Sequence, residues 1–340
     1  LQFVFSQLRW SNVRFSHSNN FGAVTLYHYT TIFQFVKYLF PLFVIIRVVI
    51  KALVIDIDGV IVGEKIGYNT PYPHPDVINR LAAIKNSGIP VVLCTAKPHY
   101  SIAPIIESAK LTNPHITFAG GIIIDPLQNK IVESHPISSP LSENILRACI
   151  AENFYMELYT RDAYYVLKNQ VSDLTKVHTH ILQQEPILVD SLEQVASTQE
   201  IFKILPIVPD ESGIPKVTDT LAPFMNSIET TWSIHPIAKP HQFCNIAPKN
   251  VSKRQATLNV LSHLGIEPND TLSVGDSTSD WKFMELCGFV ATLENGQEPL
   301  KKLVSDKGNA GFIGGHVDTN GFLAIVDHFT VPSSPPPKSR

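Results

Sequence analysis

Short apolar runs and longer amphipathic stretches alternate in two separated parts of the chain. Ala52–Ile55 is apolar and β-branched and stops at Asp56, the pattern of a strand buried on both faces of a parallel sheet. Pro75 and Asp76 open a helix with Val77, Leu81 and Ile84 on one stripe, closed by Gly88. Ile89–Cys94 predicts a second buried strand, Ser101–Lys110 a helix facing Ile102, Ile105 and Ile106 inward, and His115–Phe118 a third strand. Gly120-Gly121 then turns into Ile122–Asp125, and Ile131–Glu133 follows, as in a β-hairpin leaving the core. In the middle, helical stretches (Glu143–Glu152, Ser172–Gln183) alternate with short strands (Tyr155–Leu158, Tyr164–Leu167, Glu200–Leu205). That mixture predicts a compact α+β insert. The βα rhythm returns after residue 240. Ser252–Leu264 is a helix ended by Gly265, Thr271–Val274 a strand, Ser279–Cys287 a short helix, and Phe289–Thr292 a strand. The expected fold is α/β: a doubly wound (Rossmann-like) parallel-sheet core over 50–135 and 236–330, interrupted by an α+β cap over 136–235.

Residues 1–49 lack this rhythm and read as an extension, either disordered or an apolar anchor. Residues 32–50 are strongly apolar, but Gln34, Lys37, Pro41 and Arg47 interrupt them, and such residues are costly at the centre of a membrane helix. Pro- and Ser-rich 331–340 reads as a disordered tail.

Composition narrows the function classes. The 340 residues are 44% hydrophobic and 17% charged, with a formal net charge of −3. That is a globular composition with no basic excess for nucleic acid. The four cysteines (Cys94, Cys149, Cys244, Cys287) form no close pair, which argues against a disulfide framework or zinc site and fits a reducing cytoplasm.

Candidate chemistry sits where predicted strands stop. Asp56-Ile57-Asp58-Gly59 follows the first strand, and open α/β sheets bind ligands beyond the carboxyl ends of their strands. A carboxylate there can attack phosphorus. A second, two residues on, can exchange protons with the leaving oxygen and with water. Asp276 and Asp280 end another strand and would converge with Asp56 if the two strands are parallel neighbours. Three such acids repel unless a cation neutralises them, and oxygen ligands beside a phosphate point to Mg²⁺. The plainer readings are a helix N-cap for Asp276 and a first-turn acid for Asp280. Thr95 and Ala96, at the second strand's end, suit a phosphate oxygen or an ordinary turn, and Lys97 either touches substrate or is solvated. Lys253 opens a helix, where a cation opposes the dipole, a placement explained by holding phosphate and Asp56. Lys249 competes for that role. His178 and His180 could form a metal pair or a surface feature, and the loop residues His235 and His241 could touch substrate.

Taken together, Asp56-x-Asp58-Gly59, Thr95, Val251-Ser252-Lys253 and Gly275-Asp276-x-x-x-Asp280 resemble the haloacid dehalogenase-like superfamily, in its Cof-like branch with a cap between the second and third motifs. The resemblance covers roughly residues 50–330. It implies a phosphoric monoester hydrolase with Asp56 as nucleophile and Asp58 as general acid/base, the latter with its pKa raised by burial and neighbouring carboxylates. It further implies Thr95 and Lys253 on phosphate, and Mg²⁺ on Asp56, the Asp58 carbonyl, Asp276 and Asp280, with Asn295 in a loop beside the site. Thr95-Ala96-Lys97 departs from the usual Thr-Gly-Arg, Ser279 from the usual Asn, and Ala119-Gly120 from the usual Asn-Gly. The implied substrate is a small phosphate ester resembling a sugar phosphate. The alternatives are a phosphomutase of the same superfamily, a catalytically weak binding module on this fold, and a membrane-tethered phosphatase. Oligomeric state is not legible.

Overall fold

The computed structural model describes residues 50–128 and 130–330. The anchor reading of 32–50, the 1–49 extension and the 331–340 tail thus fall essentially outside the described residues. Among those residues, no helix is long and apolar enough to cross a membrane.

The chain begins with β1 (Ala52–Ile55), the Pro75–Asn86 helix, β2 (Val91–Leu93) and the His99–Ala109 helix. It then forms β3 (His115–Thr117), β4 (Ile122–Asp125) and β5 (Lys130–Ser134). Next come β6 (Tyr155–Tyr159), β7 (Tyr164–Leu167), β8 (Ile187–Val189), β9 (Lys203–Val208), β10 (Ile228–Ser233) and β11 (Gln242–Pro248). The Lys253–Leu264 helix leads to β12 (Thr271–Val274), β13 (Phe289–Leu293) and β14 (Gly311–Gly314), and the Phe322–Thr330 helix follows.

The core sheet has the order β14-β13-β12-β1-β2, all parallel. Its residues alternate between two helix layers. Leu53, Ile55, Leu93 and Val274 pack with Leu81, Ile102 and Ile325, while Ala52, Val54, Val92 and Val290 pack with Val260, Phe283 and Leu300. Burial on both faces is why these strands read as unbroken apolar runs. β1 lies between β2 and β12, which places a topological switch point at its carboxyl end.

The expected third strand joins a different sheet. β3 meets the end of β2 by a Cys94–Ile116 bridge and pairs antiparallel with β4, which pairs antiparallel with β5. The expected hairpin is therefore part of a separate three-stranded sheet.

The insert is a mixed sheet of order β10-β11-β9-β6-β7-β8. One face, with Ile204, Val208, Cys244 and Ile246, packs against the Ser139–Ala151 and Leu192–Thr198 helices through Leu146, Cys149 and Ala196. The opposite face, with Leu205, Ile207 and Phe243, turns toward the core. The return to the core expected at residue 236 needs correction. β11 pairs with both β9 and β10, so this sheet runs to Pro248. Apolar periodicity alone does not show which sheet a strand joins. The expected Ser279–Cys287 helix is also shorter, Trp281–Met284.

Candidate active site

Asp56 is held at the end of β1 by its backbone, whose N–H donates to the Val274 carbonyl at 2.9 Å. One carboxylate oxygen accepts the Ile57 N–H at 2.7 Å, and the other lies 2.9 Å from Lys253 Nζ. Lys253 is the first residue of its helix, which Ser252 caps by accepting the Gln255 N–H. Its ammonium also reaches Asp280 Oδ1 at 2.8 Å. The other oxygen of Asp280 accepts the N–H groups of Asp276 and Ser277 and the Ser277 hydroxyl. Asp280 thus shapes the loop after β12 and aims Lys253. Lys249 pairs with Glu229 at 3.7 Å and is half-exposed, whereas Lys253 reaches Asp56.

Asp56, Asp276 and Asp280 each offer an oxygen within 4.8 Å of the others. Asp276 forms no ion pair among the described residues, whereas Lys253 spans the other two. Three carboxylates against one lysine would carry two uncompensated negative charges if all were ionised. A divalent cation complements that charge, and the all-oxygen donors suit a hard ion. Without a cation, that charge is resisted by proton uptake. Burial pushes the Asp56 carboxyl up to about 7, against the pull of Lys253 and with the push of Asp280. Burial and the charges of Asp280 and Asp56 hold Asp276 well above the carboxylate range. Gly59 completes the geometry. Its φ is +76°, and a Cβ there would lie 2.1 Å from Asp276 Oδ2, so only glycine lets this turn meet that carboxylate.

Asp58 corrects one expectation. Its carboxylate contacts no other carboxylate in the site; it lies 2.7 Å from Lys97 Nζ and 3.1 Å from His235 Nε2. Burial pushes its pKa up, but Lys97 and His235 outweigh burial and hold it well below the usual carboxylate range. Lys97 is not solvated, as one reading had it, but buried in this pair. His235 comes from the chain between β10 and β11, too far along the sequence for any local pattern to link it to Asp58.

Thr95 is buried, and its hydroxyl accepts the Lys97 N–H at 3.1 Å. Its carbonyl accepts the Ala119 N–H, and the Lys97 carbonyl accepts that of Phe118. Thr95 and Ala96 line the same cleft as Asp56 and Asp58. Asn295 lines it as well; its amide donates to the Gly59 carbonyl at 2.8 Å and its oxygen accepts the Val317 N–H at 2.9 Å. Asn295 therefore ties the turn at Gly59 to the segment after β14.

The His178/His180 metal pair does not form. Two residues apart on a helix, the side chains diverge, and His178 Nδ1 meets Glu157 at 2.6 Å. His241 Nδ1 bonds the Ala238 carbonyl. The cleft between core and insert holds about 490 Å³. Two residues in it went unnoticed in the sequence, Lys203 and Asn245. Both sit on strands where only register reveals that they face the cleft.

Comparison with known proteins places this geometry. The family model of haloacid dehalogenase-like hydrolases matches residues 53–311. A Streptococcus pyogenes protein described as a candidate phosphatase is 26% identical over 260 residues, covering 75% of this chain and 91% of that protein. The Bacillus subtilis phosphatase YwpJ is 22% identical over 270 residues, covering 74% and 92%. A haloacid dehalogenase-like hydrolase structure from Bacteroides thetaiotaomicron superposes with a TM-score of 0.68 at 17% identity, covering 82% of this chain and 98% of that one. The last is a likeness of fold.

Proposed function

The chain belongs to the haloacid dehalogenase-like hydrolases, and from that premise we propose that it is a Mg²⁺-dependent phosphatase that forms an aspartyl phosphate on Asp56. One observation carries the reading: Asp56, at the end of β1, offers an oxygen within 4.8 Å of those of Asp276 and Asp280, with Lys253 bridging Asp56 and Asp280.

Asp56, Asp276 and the Asp58 carbonyl would hold the ion, with Asp280 behind them. When bound, Mg²⁺ neutralises charge on the phosphoryl oxygens and orients them. The protein's own groups do the rest. Asp56 attacks phosphorus in line with the leaving oxygen. Lys253, fixed between Asp56 and Asp280, stabilises the equatorial oxygens, as do Thr95 and the N–H groups beside it. Asp58, ionised between Lys97 and His235, takes a proton from one of them and passes it to the leaving oxygen. Asp58 then takes a proton from the water that hydrolyses the aspartyl phosphate. The cleft suits a small monoester such as a sugar phosphate, and the insert above it excludes water.

Release of inorganic phosphate from p-nitrophenyl phosphate tests this directly. It should require Mg²⁺, stop with EDTA, and fall more than about 10³-fold in Asp56→Asn, the scale for loss of a nucleophile. Radiolabelled phosphate should stay on acid-quenched wild-type protein, leave with hydroxylamine, and be absent from Asp56→Asn. Phosphate release without such an adduct would rule out the covalent route.

A further inference from the structure

The insert's sheet presents a patterned face to the cleft. Register places Lys203 and Leu205 of β9 beside Ala247 and Asn245 of β11, with Glu157 and Tyr159 of β6 on the other side. Side chains alternate across a strand, so these residues share one face. Leu205 and Phe243 make much of it apolar. Against that background Lys203 is exceptional. It is only 8% exposed, yet no carboxylate lies within ion-pair distance of it among the described residues. Among the described residues its ammonium has one polar contact, a 3.4 Å bond to the Ala96 carbonyl, and it lies over the Tyr159 ring at 4.9 Å.

The neighbouring charges are already matched. Glu157 accepts from the Tyr159 hydroxyl and pairs with His178. Asp58 is taken by Lys97 and His235. Glu229 pairs with Lys249. Asn245 offers a second vacancy of opposite sense. Its amide donates to Ser233 Oγ and the Thr231 carbonyl, while its buried oxygen has no partner among the described residues. Lys203 feels the charges of Glu157 and Asp58 but contacts neither, and a buried ammonium with one weak polar contact, like a buried acceptor without a donor, is costly unless something completes it.

Building on the phosphatase reading, we propose that Lys203, with Asn245 beside it, selects the leaving group: the preferred substrate is a phosphate monoester whose alcohol carries a second anionic group near the ester oxygen and a hydroxyl. The anion takes the Lys203 ammonium and the hydroxyl donates to Asn245 Oδ1. Burial draws the Lys203 pKa down to about 8, so the ammonium remains charged at neutral pH. The anion is a carboxylate or a second phosphoryl group, and Lys203 serves either.

Paired substrates test this. Phosphoglycerate and glycerol phosphate differ by a carboxylate in place of a hydroxymethyl group, and fructose bisphosphate and fructose phosphate by a phosphoryl group. Wild-type kcat/KM should favour the anionic member of at least one pair by tenfold or more, and the pair that responds identifies the anion. Lys203→Met should collapse that ratio to within about threefold of unity, mainly through KM, and Lys203→Arg should keep most of it. Asn245→Leu should raise KM for both members of the responding pair. Hydrolysis of p-nitrophenyl phosphate by the same preparations reports on the phosphatase reading separately. Equal wild-type kcat/KM within both pairs would overturn the proposal even with that hydrolysis intact. So would an equal loss on all esters in Lys203→Met, because Lys203 would then only pin the insert to Ala96.

Discussion

At the scale of single residues, the site depends on two carboxylates held in different electrical settings. Asp56 sits among acids with one lysine, and burial moves its pKa up to about 7. Asp58, two residues on, faces Lys97 and His235 and stays ionised. The motif Asp-x-Asp was legible; the different partners were not, because Lys97 and His235 reach Asp58 from separate elements. Gly59 gives a sharp test. With φ at +76° and Asp276 Oδ2 in the space a Cβ would occupy, Gly59→Ala strains the turn and displaces a metal-side carboxylate. We expect a stability loss of about 1 kcal/mol or more and a tenfold or greater rise in the Mg²⁺ concentration needed for half-maximal activity. Denaturant melts and Mg²⁺ titrations read the two effects. An unchanged Mg²⁺ requirement would mean that Asp276 does not hold the ion.

At the scale of elements, β1, β2, β12 and β13 were readable because burial on both faces makes their residues mostly apolar. β10 and β11 were not, since strands that mix Thr, Asn and Gln with apolar residues show little period. β3 shows what packing adds. His115 is fully buried, and its Nδ1 accepts the Leu93 N–H at 3.2 Å, linking β3 to β2. Burial alone depresses its pKa to about 3. The unfolded chain binds a proton there near the ordinary value of about 6.5, and the folded chain does not until about 3. The stability tied to the neutral ring is therefore complete above about 6.5 and is lost as pH falls toward about 3. Its slope reaches at most about 1.4 kcal/mol per pH unit. His115→Asn keeps an acceptor for the Leu93 N–H and should show a shallower loss of stability between neutral and mildly acid pH in urea unfolding. A slope parallel to wild type would assign acid sensitivity to other groups.

At the scale of the whole molecule, the acid cluster links folding to the metal. A cation that binds only the folded chain stabilises it by mass action, about 2.7 kcal/mol at a hundredfold excess over Kd. Mg²⁺ should therefore raise the melting temperature of the wild type and shift Asp276→Asn far less, as differential scanning fluorimetry would show. An equal shift in both would place the ion elsewhere. The sequence by itself determined the doubly wound core and the presence of an insert, and it named Asp56, Asp58, Lys253, Asp276 and Asp280 as candidates. Those follow from local rules: buried strands must be apolar, and reactive groups follow where they stop. Only the tertiary structure decided that the insert's sheet extends to Pro248, that His235 joins Asp58, and that Lys203 and Asn245 face the cleft. Those depend on strand register and sheet assignment, which bring together residues far apart in the chain and leave no local period to read.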